Sequence, residues 1–85
     1  MDLEIVVEGV SDARVVSEIK RKIQQVCKQT RCSGAWSIIV SPSEMRGRWD
    51  LGVRGPVGRH FASFSDPEHI DQLPELIAQR FRAFS

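Results

Sequence analysis

The apolar residues of this chain keep one period, change to another and change back, and that succession limits the possible folds more than any other feature. Leu3, Ile5 and Val7 alternate across residues 3–8, as a strand with one face on a core does. Gly9 ends the run. Ser11 reads as a helix N-cap, with Asp12 beside the positive end of the helix that follows. Over residues 12–30 the spacing lengthens, and Val15, Val16, Ile19, Ile23, Val26, Cys27 and Thr30 gather on one face at the 3.6 period. The opposite face carries Arg14, Arg21 and Lys28, with Glu18 spaced to pair with Lys22 four residues on.

Alternation then returns three times: in Trp36-Ser-Ile-Ile-Val40, in Trp49, Leu51 and Val53, and in Ala62 and Phe64. Gly55-Pro-Val-Gly58 is a turn between the last two, and residues 42–47 supply the turn before them. Setting Arg54 opposite Arg59 places Trp49 by Phe64, Leu51 by Ala62 and Val53 by His60. Setting Ser41 opposite Arg48 places Val40 by Trp49, Ile38 by Leu51 and Trp36 by Val53. Both registers give one continuous apolar face. The other face shows Ser37, Ile39, Ser41, Arg48, Asp50, Arg54, Arg59, Phe61 and Ser63, a mostly polar set that an antiparallel sheet can leave open to water. The glycines at 52, 55 and 58 read as hairpin punctuation.

Asp66-Pro67-Glu68 reads as N-cap, N1 and N2 of a short helical turn near 67–72. Pro74 should break it by pushing residue 73 out of the helical region. A fresh helix then covers about 74–84, with Leu76, Ile77, Phe81 and Phe84 on its apolar side and Ile70 and Leu73 leading in. The expected order is β-α-β-β-β-α. It implies an α+β, two-layer sandwich whose mostly antiparallel sheet carries two helices on one face. The place of the first strand in the sheet stays open.

Eighty-five residues make one small domain over 1–85, alone or as a module of a longer protein. A hydrophobic content of 41% argues for a packed core over disorder. No apolar run approaches the roughly 20 residues that span a bilayer, and the acidic N-terminus lacks a secretory pattern. Cys27 and Cys32 are too few and too far apart for a zinc quartet or a C-x-x-C motif. Cys27 reads as a core residue and Cys32 as a loop thiol. Both suit a reducing, cytoplasmic setting.

Charge is sorted along the chain. Residues 1–12 hold four acids and no base, residues 14–59 hold ten Lys or Arg against three acids, and residues 60–85 turn mildly acidic again. The net charge of +1 therefore conceals a basic middle. Within it, Arg46-Gly-Arg-Trp49 and Arg54-Gly-Pro-Val-Gly-Arg-His60 are the candidate contact segments. Arginine beside an exposed aromatic suits single-stranded nucleic acid and protein hot spots alike.

Ile5-Val-Val-Glu-Gly-Val-Ser-Asp-Ala13 resembles the first motif of Toprim domains, in which a strand, Glu-Gly, a short turn and an Asp precede a helix. That resemblance implies that Glu8 would join acidic residues of a later strand in holding magnesium for phosphodiester chemistry. The family's second motif, Asp-x-Asp, has no counterpart here: residues 41–48 contain only Glu44 as an acid, and Asp50 stands alone. The helix–three-strand–helix order resembles double-stranded-RNA-binding domains in outline. It departs from them in its extra first strand and in Ser65-Asp-Pro-Glu68, where their last helix is entered through lysines. His60 and His69 have no Cys or second His at ligand spacing, and no G-x-S-x-G elbow marks a nucleophile.

The sequence thus points to a non-enzymatic interaction or regulatory domain with no catalytic residue, metal or cofactor. It should bind a protein partner through Arg46, Arg48, Arg54, Arg59 and Phe61, as a monomer or weak dimer with no membrane contact. Nucleic acid at the same basic surface is the alternative.

Overall fold

The computed structural model describes residues 2–30, 34–56 and 58–83. Cys32, Phe84 and Val57 of the Gly55–Gly58 turn lie outside them. The elements are β1 (Asp2–Val7), α1 (Ala13–Thr30), β2 (Ala35–Pro42), β3 (Arg48–Gly55), β4 (Gly58–Ser65), a 3₁₀ turn at Ile70–Gln72 and α2 (Leu73–Arg82). The strands form one sheet in the order β1-β2-β3-β4. β1 is an edge strand parallel to β2, and the two remaining pairs are antiparallel. This is the expected α+β sandwich, with the first strand now placed.

The core lies between the helices and one sheet face. Val15, Ile19, Ile23, Val26 and Cys27 of α1 meet Leu73, Ile77, Ala78 and Phe81 of α2 over Ile38, Val40, Leu51, Val53 and Phe64 of the sheet. Among the described residues, no buried residue is polar or charged. Burying apolar area at roughly 25 cal/mol per Å² is what holds the two layers together. Trp36 closes one end of the core, edge-on to Phe81 with ring centroids 6.2 Å apart.

The β3–β4 register matches the expectation at every pair, including Arg54 opposite Arg59. The β2–β3 register differs by two residues: Pro42 lies opposite Trp49, Val40 opposite Leu51 and Ile38 opposite Val53. The loop is tighter than residues 42–47, because the Ser43 N–H donates to the Arg48 carbonyl at 3.0 Å and Gly47 turns the chain at φ 80°. Backbone donors alternate sides along a strand, so the Pro42 nitrogen, one residue earlier, points past the end of β1, where no donor is needed. A slip of two keeps every side chain on its own face, so the apolar face survived while its partners changed.

Three local expectations are corrected. Asp12, not Ser11, caps α1: its Oδ1 accepts the Arg14 N–H at 2.9 Å. Asp66 does not cap a helix. Its N–H donates to the Gly47 carbonyl at 2.8 Å and its carboxylate accepts from Trp49, so Asp66 is held to the sheet, and the helical turn begins only at Ile70. Leu73 is helical at φ −59° and ψ −44° despite the following proline. Pro74 falls in the first turn of α2, where its missing N–H has no partner to lose.

Candidate functional site

The sheet's second face is open, because both helices pack on the first. Pleating turns Glu4 and Val6 of β1 outward, with Ser37, Ile39 and Ser41 of β2, Asp50, Gly52 and Arg54 of β3, and Arg59, Phe61 and Ser63 of β4. The register arranges these in rows across the strands. One row reads Glu4, Ser37, Arg54, Arg59; the next Val6, Ile39, Gly52, Phe61; the third Ser41, Asp50, Ser63.

The middle row is apolar and uncovered. Phe61 is 69% exposed and Ile39 46%. Gly52 stands between them without a side chain, so the row has a gap at its centre. A Cβ built on Gly52 would meet nothing nearer than the Ile39 carbonyl oxygen at 4.0 Å, so the gap does not come from crowding. Ser37, Ile39, Gly52, Arg54, Arg59 and Phe61 line a shared depression there.

The adjoining row is basic. Arg54 and Arg59 are exposed and directly opposite each other. Among the described residues no carboxylate lies within 4.0 Å of either. Like charges facing across a ladder repel, and the nearest acid of the row, Glu4, stands two strands from Arg54.

Arg54, Arg59 and Phe61 come together, whereas Arg48 and Arg46 do not join them. Arg48 is six residues before Arg54 on the same strand, roughly 20 Å away at a strand's rise per residue. Its guanidinium is tied to Ser63, donating to Oγ at 3.0 Å and to the carbonyl at 3.1 Å. Arg46 is exposed in the β2–β3 loop beyond it.

The basic stripe on α1 lies on the far layer and is largely spoken for. Arg21 grips Glu18 through two hydrogen bonds of 2.7 and 3.2 Å. That contact holds the Glu18 carboxyl below its ordinary value and raises the Arg21 guanidinium. Arg14 sits 3.8 Å from Asp12. Lys22 does not pair with Glu18 as expected; it reaches across to Glu75 of α2 at 2.8 Å.

Glu8 is exposed just past β1, where its N–H donates to the Val40 carbonyl. Among the described residues, no group of three or more His, Cys, Asp or Glu side chains is placed to hold a metal ion. No helix there is long and apolar enough to cross a membrane.

The arrangement of one parallel edge strand, a three-stranded meander and two helices on one face can be compared with known folds. The chain is similar in fold to two solved structures. It is similar to a ribosomal subunit interface protein from Coxiella burnetii, with a TM-score of 0.65 over 99% of this chain and 92% of that one, at 13% identity. It is also similar to the N-terminal domain of Protein Y from Thermus thermophilus, with a TM-score of 0.53 over the whole of both chains, again at 13% identity. At that identity the likeness is one of fold. No protein-family model and no curated protein matches the sequence.

Arg54, Arg59 and Phe61, singled out from the sequence, lie together on the open face, but the gap beside them was not foreseen. The Arg54–Arg59 pairing already sets Gly52 opposite Phe61. The slipped β2–β3 register, however, set Gly52 opposite Ser37 and so hid the Ile39 wall.

Proposed function

We propose that this chain is a non-enzymatic, cytoplasmic binding domain that docks on RNA through the open face of its sheet. Arg54 and Arg59 contact phosphate, and Phe61 contacts a base. The observation that carries the reading is the facing Arg54–Arg59 pair, with no carboxylate within 4.0 Å among the described residues, beside an exposed aromatic. An anion between the two guanidiniums relieves their repulsion and forms charge-assisted hydrogen bonds, while the ring offers a stacking surface that accepts any base. The fold supports it too, since one of its solved examples is named for a ribosomal subunit interface.

A protein partner is the second reading, favoured by the exposed apolar pair Ile39 and Phe61 next to arginine. Titrating ¹⁵N-labelled protein with a mixed-sequence single-stranded RNA separates the two. The RNA reading predicts amide shifts centred on Gly52–Phe61 that persist at physiological salt. Shifts scattered over every basic residue and abolished by salt, or no shifts at all, would refute it and leave the protein partner.

A further inference from the structure

The Ile39–Gly52–Phe61 row has a shape and a polarity that an RNA-binding surface does not require, and both narrow the ligand. Resting on the RNA reading, we infer that this row is a single-base slot: it takes one unpaired nucleobase of a single-stranded segment, and guanine above the others.

The shape comes first. Ile39 and Phe61 are two strand spacings apart, roughly 10 Å between backbones, with glycine as the floor between them. Once the two side chains are in place, the remaining width suits one planar ring stacked on Phe61. A duplex cannot use the slot, because its bases are stacked and paired within the helix and their faces are covered.

Polarity comes from the flanking rows. Arg54 and Arg59 lie two residues from Gly52 and Phe61 on the same face, roughly 7 Å along the strands. That is comparable to the reach from a base to its own phosphate. On the other side, equally far, lies Asp50 between Ser41 and Ser63. The carboxylate accepts hydrogen bonds, and the cation nearest to it, Arg48, is already bonded to Ser63 through Oγ and the carbonyl. A nucleotide in the slot is therefore oriented with its phosphate toward the arginines and its base edge toward Asp50. Guanine presents two adjacent donors on that edge, N1–H and N2–H, which match the two oxygens of a carboxylate. Uracil offers only one N–H between two carbonyl oxygens, which Asp50 would repel.

The test measures fluorescence anisotropy of three labelled RNAs with the intact chain: a nine-residue oligouridine, the same strand with one central guanosine, and a duplex containing that guanosine strand. The guanosine strand should bind about 5- to 150-fold more tightly than oligouridine, the range of one good bidentate base contact, and more tightly than the duplex. Gly52→Val should remove that preference while the fold persists, because a side chain at this position meets open space. Asp50→Asn should reduce it, and Arg59→Gln should weaken all three RNAs alike. Equal affinity for the guanosine strand, oligouridine and duplex, undisturbed by Gly52→Val, would overturn the slot and leave RNA binding intact. Failure of all three RNAs to bind would overturn the RNA reading and the slot together.

Discussion

The indole N–H of Trp49 donates to the Asp66 carboxylate at 2.6 Å, tying the middle of the sheet to the segment that leads into α2. Trp49 is only 7% exposed, whereas Asp66 is exposed, so water can partly replace the acceptor if its carboxylate is removed. Asp66→Ala should destabilise the fold by about 0.5–1.5 kcal/mol, the net range for a hydrogen bond that water can partly replace. Asp66→Asn, which keeps an acceptor, should lose less. Urea unfolding of the two variants checks the order, and equal losses would deny the bond its role.

The Lys22–Glu75 pair joins the two helices over the core. The hydrogen bond from Lys22, then its charge, holds the Glu75 carboxyl below the ordinary glutamate value. A folded-state pKa that is depressed stabilises the protein above the unfolded value, and that stabilisation is lost as pH falls through the folded value. Wild type should therefore exceed Glu75→Gln in stability at neutral pH. The gap should close in acid below the depressed value. A gap that stays constant with pH would mean the difference is not electrostatic.

Arg59→Glu should separate stability from binding. It turns a like-charge pair with Arg54 into an opposite-charge pair, worth about 0.2–1 kcal/mol of added stability across a ladder. The same change should abolish RNA binding. Chemical denaturation and anisotropy on one preparation read both effects. A more stable protein that still binds RNA would mean that Arg59 does not contact the RNA.

What the sequence made legible, and what it did not, follows from how each feature is encoded. Gly55-Pro-Val-Gly58 marks its turn strongly enough to fix Arg54 opposite Arg59, and the rest of that hairpin follows. The β2–β3 turn is punctuated by Pro42 and Gly47, but only Gly47 lies in the loop itself. Pro42 reads as a turn residue but lies in the strand, and the register slips by two. A period of two protects the faces from such a slip, so the core was right and the cross-strand neighbours were not. Asp66 illustrates the other limit: its sequence context is that of a helix cap, and only the folded sheet brings Trp49, 17 residues earlier, within reach.

Gly9 and Gly52 should respond oppositely to substitution. Gly9 has φ +77°, and a Cβ there would run into the Pro42 ring. Gly9→Ala should therefore cost at least about 1–2 kcal/mol, the penalty of a left-handed conformation for an ordinary residue. Gly52→Ala lies in an extended strand with open space above it and should leave thermal stability unchanged or raised. Equal losses at both sites would mean that the β1–α1 turn does not pack on Pro42.

The dependence of RNA affinity on salt tests the phosphate-binding role of Arg54 and Arg59 most directly. Plotted as log affinity against log salt for a single-stranded RNA, wild type should give a straight line. Arg59→Gln should make it shallower by about 0.7, the slope lost with one phosphate contact on a single strand, and the double variant with Arg54→Gln by about twice that. If the double variant keeps the wild-type affinity and slope, the open sheet face is not where this protein meets RNA.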